Sequence, residues 1–139
     1  MSDFPARPKV EVMKGRFHAL AITLECPHPK IKLIAENIAG AADVSFVKPG
    51  APGTTKADAE TKAKTDAETD AENKAKADIT RQQNEVSCAG TKCTKDAPAP
   101  TSVVTEKGTA TFTLNNDRSG VAHGTAKATG HGTVECKKP

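Results

Sequence analysis

Tryptophan and tyrosine are absent from this 139-residue chain, and phenylalanine occurs four times. Leu, Ile, Val and Phe together number 22 of 139, below the roughly 20% at which disorder becomes the default reading. The second mark of disorder, a large net charge, is also missing, since the formal charge is +3. A folded chain with so little apolar bulk has a thin aliphatic core. It is expected to draw further stability from cross-links, a metal or partner subunits. No apolar run approaches the ~18 residues of a membrane span, so no membrane insertion is expected. The first residues, Met1-Ser2-Asp3-Phe4-Pro5-Ala6-Arg7-Pro8, lack the apolar centre of a signal peptide. Cytoplasmic synthesis is expected, with incorporation into a released particle as the route out of the cell.

Basic blocks are lacking too. Residues 1–55 carry seven Lys/Arg against five acids, 56–78 five against seven, and 79–139 eight against five. With cations dispersed and base-stacking aromatics nearly absent, nucleic-acid binding is not expected. Catalytic signatures are equally thin. Ser45, Ser87, Ser102 and Ser119 have no nucleophile-elbow context, and no glycine loop is built to cradle a phosphate. The chain reads as a non-enzyme.

What is present falls into three segments of one domain. In the first, residues 8–50, residues 9–13 and 17–24 alternate as strands, and 31–34 and 44–47 supply two more. Cys26-Pro27-His28-Pro29 is expected to be a turn or extended link, because proline donates nothing to a ladder. Residues 35–40 read as one helical turn stopped by Gly40, and 48–53, with two prolines and two glycines, as a boundary.

The second segment is the charged stretch within residues 56–87. From Lys56 to Asp78 every even position is charged and every odd position is Ala, Thr or Asn. Alternation alone argues for a strand. Composition argues for a helix, because Ala, Glu and Lys are good helix formers and poor strand formers. On a helix these alternate charges point in all directions and leave no apolar stripe to dock on a core. Good-order pairs such as Glu60–Lys64 and Asp70–Lys74 sum to only about 1–2 kcal/mol. The expectation is therefore a solvated helix or flexible excursion lying outside the body, dispensable at a cost of about 1 kcal/mol.

The third segment, 101–139, follows a helical extension at 79–86, a break at Gly90 and a Pro-Ala-Pro linker at 98–100. Residues 101–105 and 109–114 read as strands, 115–120 as a hairpin loop, and 121–136 as one long alternating strand. The even positions of that strand are Ala, Gly, Ala, Ala, Gly, Gly, Val and Cys. So small a face suits close approach of another backbone. The fold class expected is mainly β (α+β): a small antiparallel β body from 8–50 and 101–136, interrupted by the charged excursion at about 55–87.

Four cysteines and four histidines carry the site chemistry. Cys88 and Cys93, with Cys26, His28 and Cys136, form a candidate zinc set, thiolate and imidazole being the ligands zinc prefers. The alternatives are free thiols, or the disulfides Cys88–Cys93 and Cys26–Cys136, the second of which closes a long loop. His123 and His131 share a strand face about 26 Å apart and read as surface residues; His18, among Leu20 and Ile22, reads as a core residue. No cofactor is expected unless zinc. The leading functional expectation is a structural or assembly protein, a small oligomeric subunit of a virion, phage tail or secretion apparatus. The alternative is a small zinc-stabilised binding module.

Overall fold

The computed structural model describes residues 12–13, by backbone alone, and 21–138. The elements in chain order are β1 (Val12–Met13), β2 (Ile22–Leu24), β3 (His28–Phe46), α1 (Lys56–Asn84), β4 (Val86–Cys88), β5 (Thr94–Asp96), β6 (Thr101–Leu114) and β7 (Gly120–Lys137). The class is mainly β with one helix, as the composition and alternation indicate. Strands β3, β7, β5 and β6 form an antiparallel sheet with β7 at its centre, and β1 adds to β3 in parallel. A second, two-stranded sheet pairs β2 with β4 in parallel, Leu24 opposite Cys88. Strand expectations for 9–11 and 17–20, and the placement of His18, lie outside the described residues.

The chain divides into two compact units, with β3, α1, β6 and β7 each contributing a stretch to both. In the unit made of Asn37–Lys74 and Val103–Thr129, α1 lies on a three-stranded face. Its buried residues are Ala59, Ala63, Ala67 and Ala71, all at 0% exposure. This overturns the expectation of an excursion with no docking stripe. The charges alternate every second residue, but the alanines that matter recur every fourth, and each step of four advances about 40° around the helix. The stripe therefore winds over roughly 120°, and a twisted sheet is the surface that can follow it.

The approach is backbone to backbone. One glycine on each strand makes it so: Gly40 on β3 against Ala67 and Ala71, Gly124 on β7 against Ala63, and Gly108 on β6 against Lys64. A Cβ at any of the three would stand well inside 3.0 Å of helix backbone atoms. The small face of β7 thus does what its sequence indicates, with a helix as the approaching backbone.

Charges beside the alanine stripe tie the helix to the two flanking strands. The Ala41 N–H of β3 donates to Asp70 Oδ2 at 3.0 Å, and the Gly108 N–H of β6 to Glu68 Oε2 at 2.7 Å. Each carboxylate satisfies a strand donor that β7 does not reach, which blunts the edge. The exposed ion pairs Glu60–Lys64 (3.1 Å) and Lys62–Asp66 (3.0 Å) contribute little by comparison. The Ala41 N–H, and then Lys74, hold the Asp70 carboxyl below its ordinary value. A lowered folded value adds stability above the unfolded one, near pH 4, and loses it as pH falls through the folded one. The stability gap between wild type and Asp70→Asn, followed by urea melts against pH, is accordingly expected at neutral pH and should close below about pH 4. A gap independent of pH would show that the carboxylate's charge is irrelevant.

The expected helical turn at 35–40 is instead part of β3. Inward-facing residues are odd up to Ala35 (Ile31, Leu33) and even from Ile38 on (Gly40, Phe46). Asn37 sits between them at φ +50°. One residue in the left-handed region and a switch of parity are the signature of a β-bulge, and Asn tolerates that conformation. Thr129 Oγ1 accepts from the Asn37 N–H at 3.1 Å, and Asn37 Oδ1 accepts from Thr105 at 3.0 Å. The strand also begins earlier than expected, at His28, with Pro29 inside its first turn of pleat. The two strands expected at 101–105 and 109–114 are likewise one, β6. The hairpin loop spans 115–119, one residue shorter than expected because Gly120 opens β7, and is closed by Asn115 N–H to Ser119 O at 2.8 Å.

The other unit holds Ala75–Ser102 together with the described residues up to Glu36 and from Gly130 on. Here bulkier groups fill the core: Ile31, Leu33, Ile79, Val86 and Val134 are each at most 1% exposed. Two buried glutamines join helix to strands: Gln82 donates to Ile34 O (3.2 Å), and Gln83 to both Pro98 O and Thr133 O (2.9 Å each). The helix ends at Asn84, and Val86 already belongs to β4, so the helical extension is two residues shorter than expected.

Candidate functional site

The four cysteines meet in the unit just described. Cys88 ends β4, Cys136 lies on β7 opposite Lys95 of β5, Cys93 immediately precedes β5, and Cys26 follows β2 by two residues. They form the bridges Cys26–Cys93 and Cys88–Cys136, with Cα separations of 6.1 and 5.7 Å. The expected pairing, Cys88–Cys93 with Cys26–Cys136, is therefore corrected. Pairing follows which strands lie side by side and not proximity in sequence. Cys88 and Cys93 are the two ends of one turn, in which Gly90 sits at φ +94°, yet Cys88 of β4 is bonded to Cys136 of β7, and Cys93 beside β5 to Cys26 beside β2. Free cysteines are absent among the described residues.

The two bridges are neighbours. The sulfurs of Cys88, Cys93 and Cys136 lie within 4.8 Å of one another, and Cys26 is bonded to the second of them. Cys136 is buried; Cys26, Cys88 and Cys93 are half-buried. His28 is not in this group: its Nδ1 donates to Pro29 O at 2.8 Å. Three of the five candidate ligands, Cys88, Cys93 and Cys136, thus stand together, and His28 stands apart from them.

A second constellation escaped the sequence. On the exposed face of β3, β7 and β6, His123 Nδ1 lies 2.8 Å from Asp43 Oδ1, and His123 Nε2 lies 2.8 Å from Thr113 Oγ1. Hydroxyl, imidazole and carboxylate in that order are the connectivity of a nucleophile, a base and its orienting group. Here the Asp43 side chain is 68% exposed, and none of the three residues lines either of two surface cavities of the described residues. The chain of bonds acts as a cross-strand tie over three strands, with no enclosure to hold a substrate against Thr113. Only the antiparallel register, in which Asn37 meets Thr129 as Asp43 meets His123, brings Asp43 there. No spacing within the sequence signals a contact across 80 residues. His131 is exposed, as expected.

The larger cavity, about 480 Å³, is lined by Val47, Pro49, Ala51, Ala57 and Leu114 among others, with Lys48, Lys56 and Arg118 also in its wall. Lys56 extends over the Phe112 ring, 4.5 Å from its centroid. No protein-family model, curated protein or solved structure matches the chain.

Proposed function

We propose that the chain is a non-enzymatic structural protein, a small subunit of a larger particle of the virion, phage-tail or secretion-apparatus kind, which associates with copies of itself. The observation that carries this reading is the exposed sheet face of the alanine-helix unit. Thr105, Thr109, Thr111, Thr113 and Thr125 are all exposed, and two of them, Thr109 and Thr125, pair across strands at 3.3 Å. Val103, at 52% exposure, stands on the same face of β6 as these threonines. A hydroxyl both donates and accepts, so threonines on this face can pair with those of another copy. The opposite face, where a ligand would sit in a curved sheet, is filled by helix backbone, which favours a rigid scaffold over a binding cup.

Light scattering at high protein concentration tests this. The wild type is expected as a dimer or larger, and Val103→Asp with Thr111→Asp as a monomer with its melt intact, since exposed substitutions cost about 0.5 kcal/mol or less. A wild type that stays strictly monomeric with a cooperative melt overturns the reading.

A further inference from the structure

We infer that the four cysteines form a metal site in their reduced state: a tetrathiolate that takes one zinc-class divalent cation per chain. The inference is independent of the assembly reading and rests on where the fold holds the sulfurs. Three lie within 4.8 Å of one another and the fourth is bonded into the group. In a tetrahedral zinc–thiolate site with Zn–S near 2.3 Å, the sulfurs stand about 3.8 Å apart. For Cys88, Cys93 and Cys136, contraction of the non-bonded spacing by about an ångström and opening of the Cys88–Cys136 bond give that arrangement, and Cys26, once released from Cys93, supplies the fourth sulfur.

The four donors come from four separate chain segments. Backbone ladders position two of them, Cys88 through β2–β4 and Cys136 through β5–β7, and Cys93 immediately precedes β5. A preformed donor set of this kind is what a closed structural zinc site requires. Four thiolates around one dication carry two net negative charges, and the sequence neighbours of the cysteines are of both signs: Lys92 and Lys137 beside Cys93 and Cys136, Glu25 and Glu135 beside Cys26 and Cys136. The Lys95 ammonium is held at Val86 O, 2.6 Å away, two residues from Cys88.

The chemistry balances with a dithiol as reductant. Each bridge accepts two electrons and two protons from one dithiol, which closes to its own disulfide, so two dithiols leave four protein thiols. The cation then displaces four protons as four metal–sulfur bonds form. Half-exposed Cys26, Cys88 and Cys93 give the reductant access to both bridges. The site is thus redox-gated: covalent cross-links under oxidising conditions, the same cross-links made through metal under reducing ones.

The test uses the full chain, reduced by a dithiol or phosphine in the presence of zinc or cadmium, and in parallel refolded from denaturant with either cation. Expected are one cation per chain by native mass spectrometry, a cadmium–thiolate charge-transfer band, and no thiol reactive toward a disulfide reagent until a chelator is added. The β-type circular dichroism should be kept or regained. Cys136→Ser should weaken the cation at least tenfold, and His28→Ala should leave it unchanged. A reduced chain that retains no cation at micromolar concentration overturns the inference. So do two cations per chain, thiols that stay reactive with metal present, or binding without recovery of the β signature.

Discussion

Replacing residues 56–78 by a short Gly/Ser linker is expected to abolish the cooperative melt of this protein, followed by far-ultraviolet circular dichroism. The composition of the segment suggests the reverse, a loss of about 1 kcal/mol from a spacer. Burial decides between the two. Ala59, Ala63, Ala67, Ala71 and Ala75 are all at 0% exposure, and at about 0.8 kcal/mol per buried methyl they contribute roughly 4 kcal/mol. Removing them also uncovers Ala122, Ala126 and Ala128 of β7, and leaves the Ala41 and Gly108 N–H groups without Asp70 and Glu68. The sum is comparable with the ~5–15 kcal/mol that keeps an ordinary domain folded. A midpoint within about 3 °C of wild type would refute the packed helix. A point substitution asks the same of one contact. Gly124→Val places a side chain where the Ala63 carbonyl stands, and a cost of roughly 3 kcal/mol or more is expected. Thr111→Val, on the opposite and exposed face of β6, is the neutral control.

The contrast shows which parts of the fold were legible and why. The alternation of β7 survives into the structure unchanged, because a period of two is read directly and every even residue from 120 to 130 is buried. The hairpin loop at 115–119 was equally plain, its Asp117 accepting from the Ser119 N–H and hydroxyl at 3.0 and 2.6 Å. The helix was legible as a helix but not as a core element. Alanine scores as neutral in any hydrophobic pattern, and its worth here comes from the glycines opposite, which belong to other segments. The bulge at Asn37 hid the continuity of β3, since a parity switch and a following glycine read as a break. The four cysteines stand out by residue type alone. Their pairing, and the Asp43–His123–Thr113 tie, depend on strand register and sheet order, which are long-range properties that local spacing does not encode.

That dependence makes the pairing a sharp test of the fold. Lys92 stands between Cys88 and Cys93, so trypsin separates the two before either bond is reduced. Under non-reducing conditions the peptide holding Cys26 is expected to be linked to Cys93-Thr94-Lys95, and residues 82–92 to residues 128–137. Recovery of 82–92 linked to 93–95 would mean that the turn closes on itself and that the two sheets are not joined as described. The energetic consequence follows from loop length. The bridges close separations of 67 and 48 residues, each worth about 4 kcal/mol in the chain-entropy model. The two loops overlap between residues 88 and 93, so the second bridge constrains a chain already shortened by the first, and the pair is worth less than twice either one. Cys26→Ser with Cys93→Ser is expected to lower the melting midpoint of the metal-free, oxidised protein by on the order of 10–15 °C. Cys88→Ser with Cys136→Ser should cost more than its shorter loop predicts, because Cys136 is 1% exposed and a serine hydroxyl there is buried in the core. Equal midpoints for the two paired variants would show that loop entropy alone governs. A reversal, with the longer loop the costlier, would remove burial of Cys136 as a contributor.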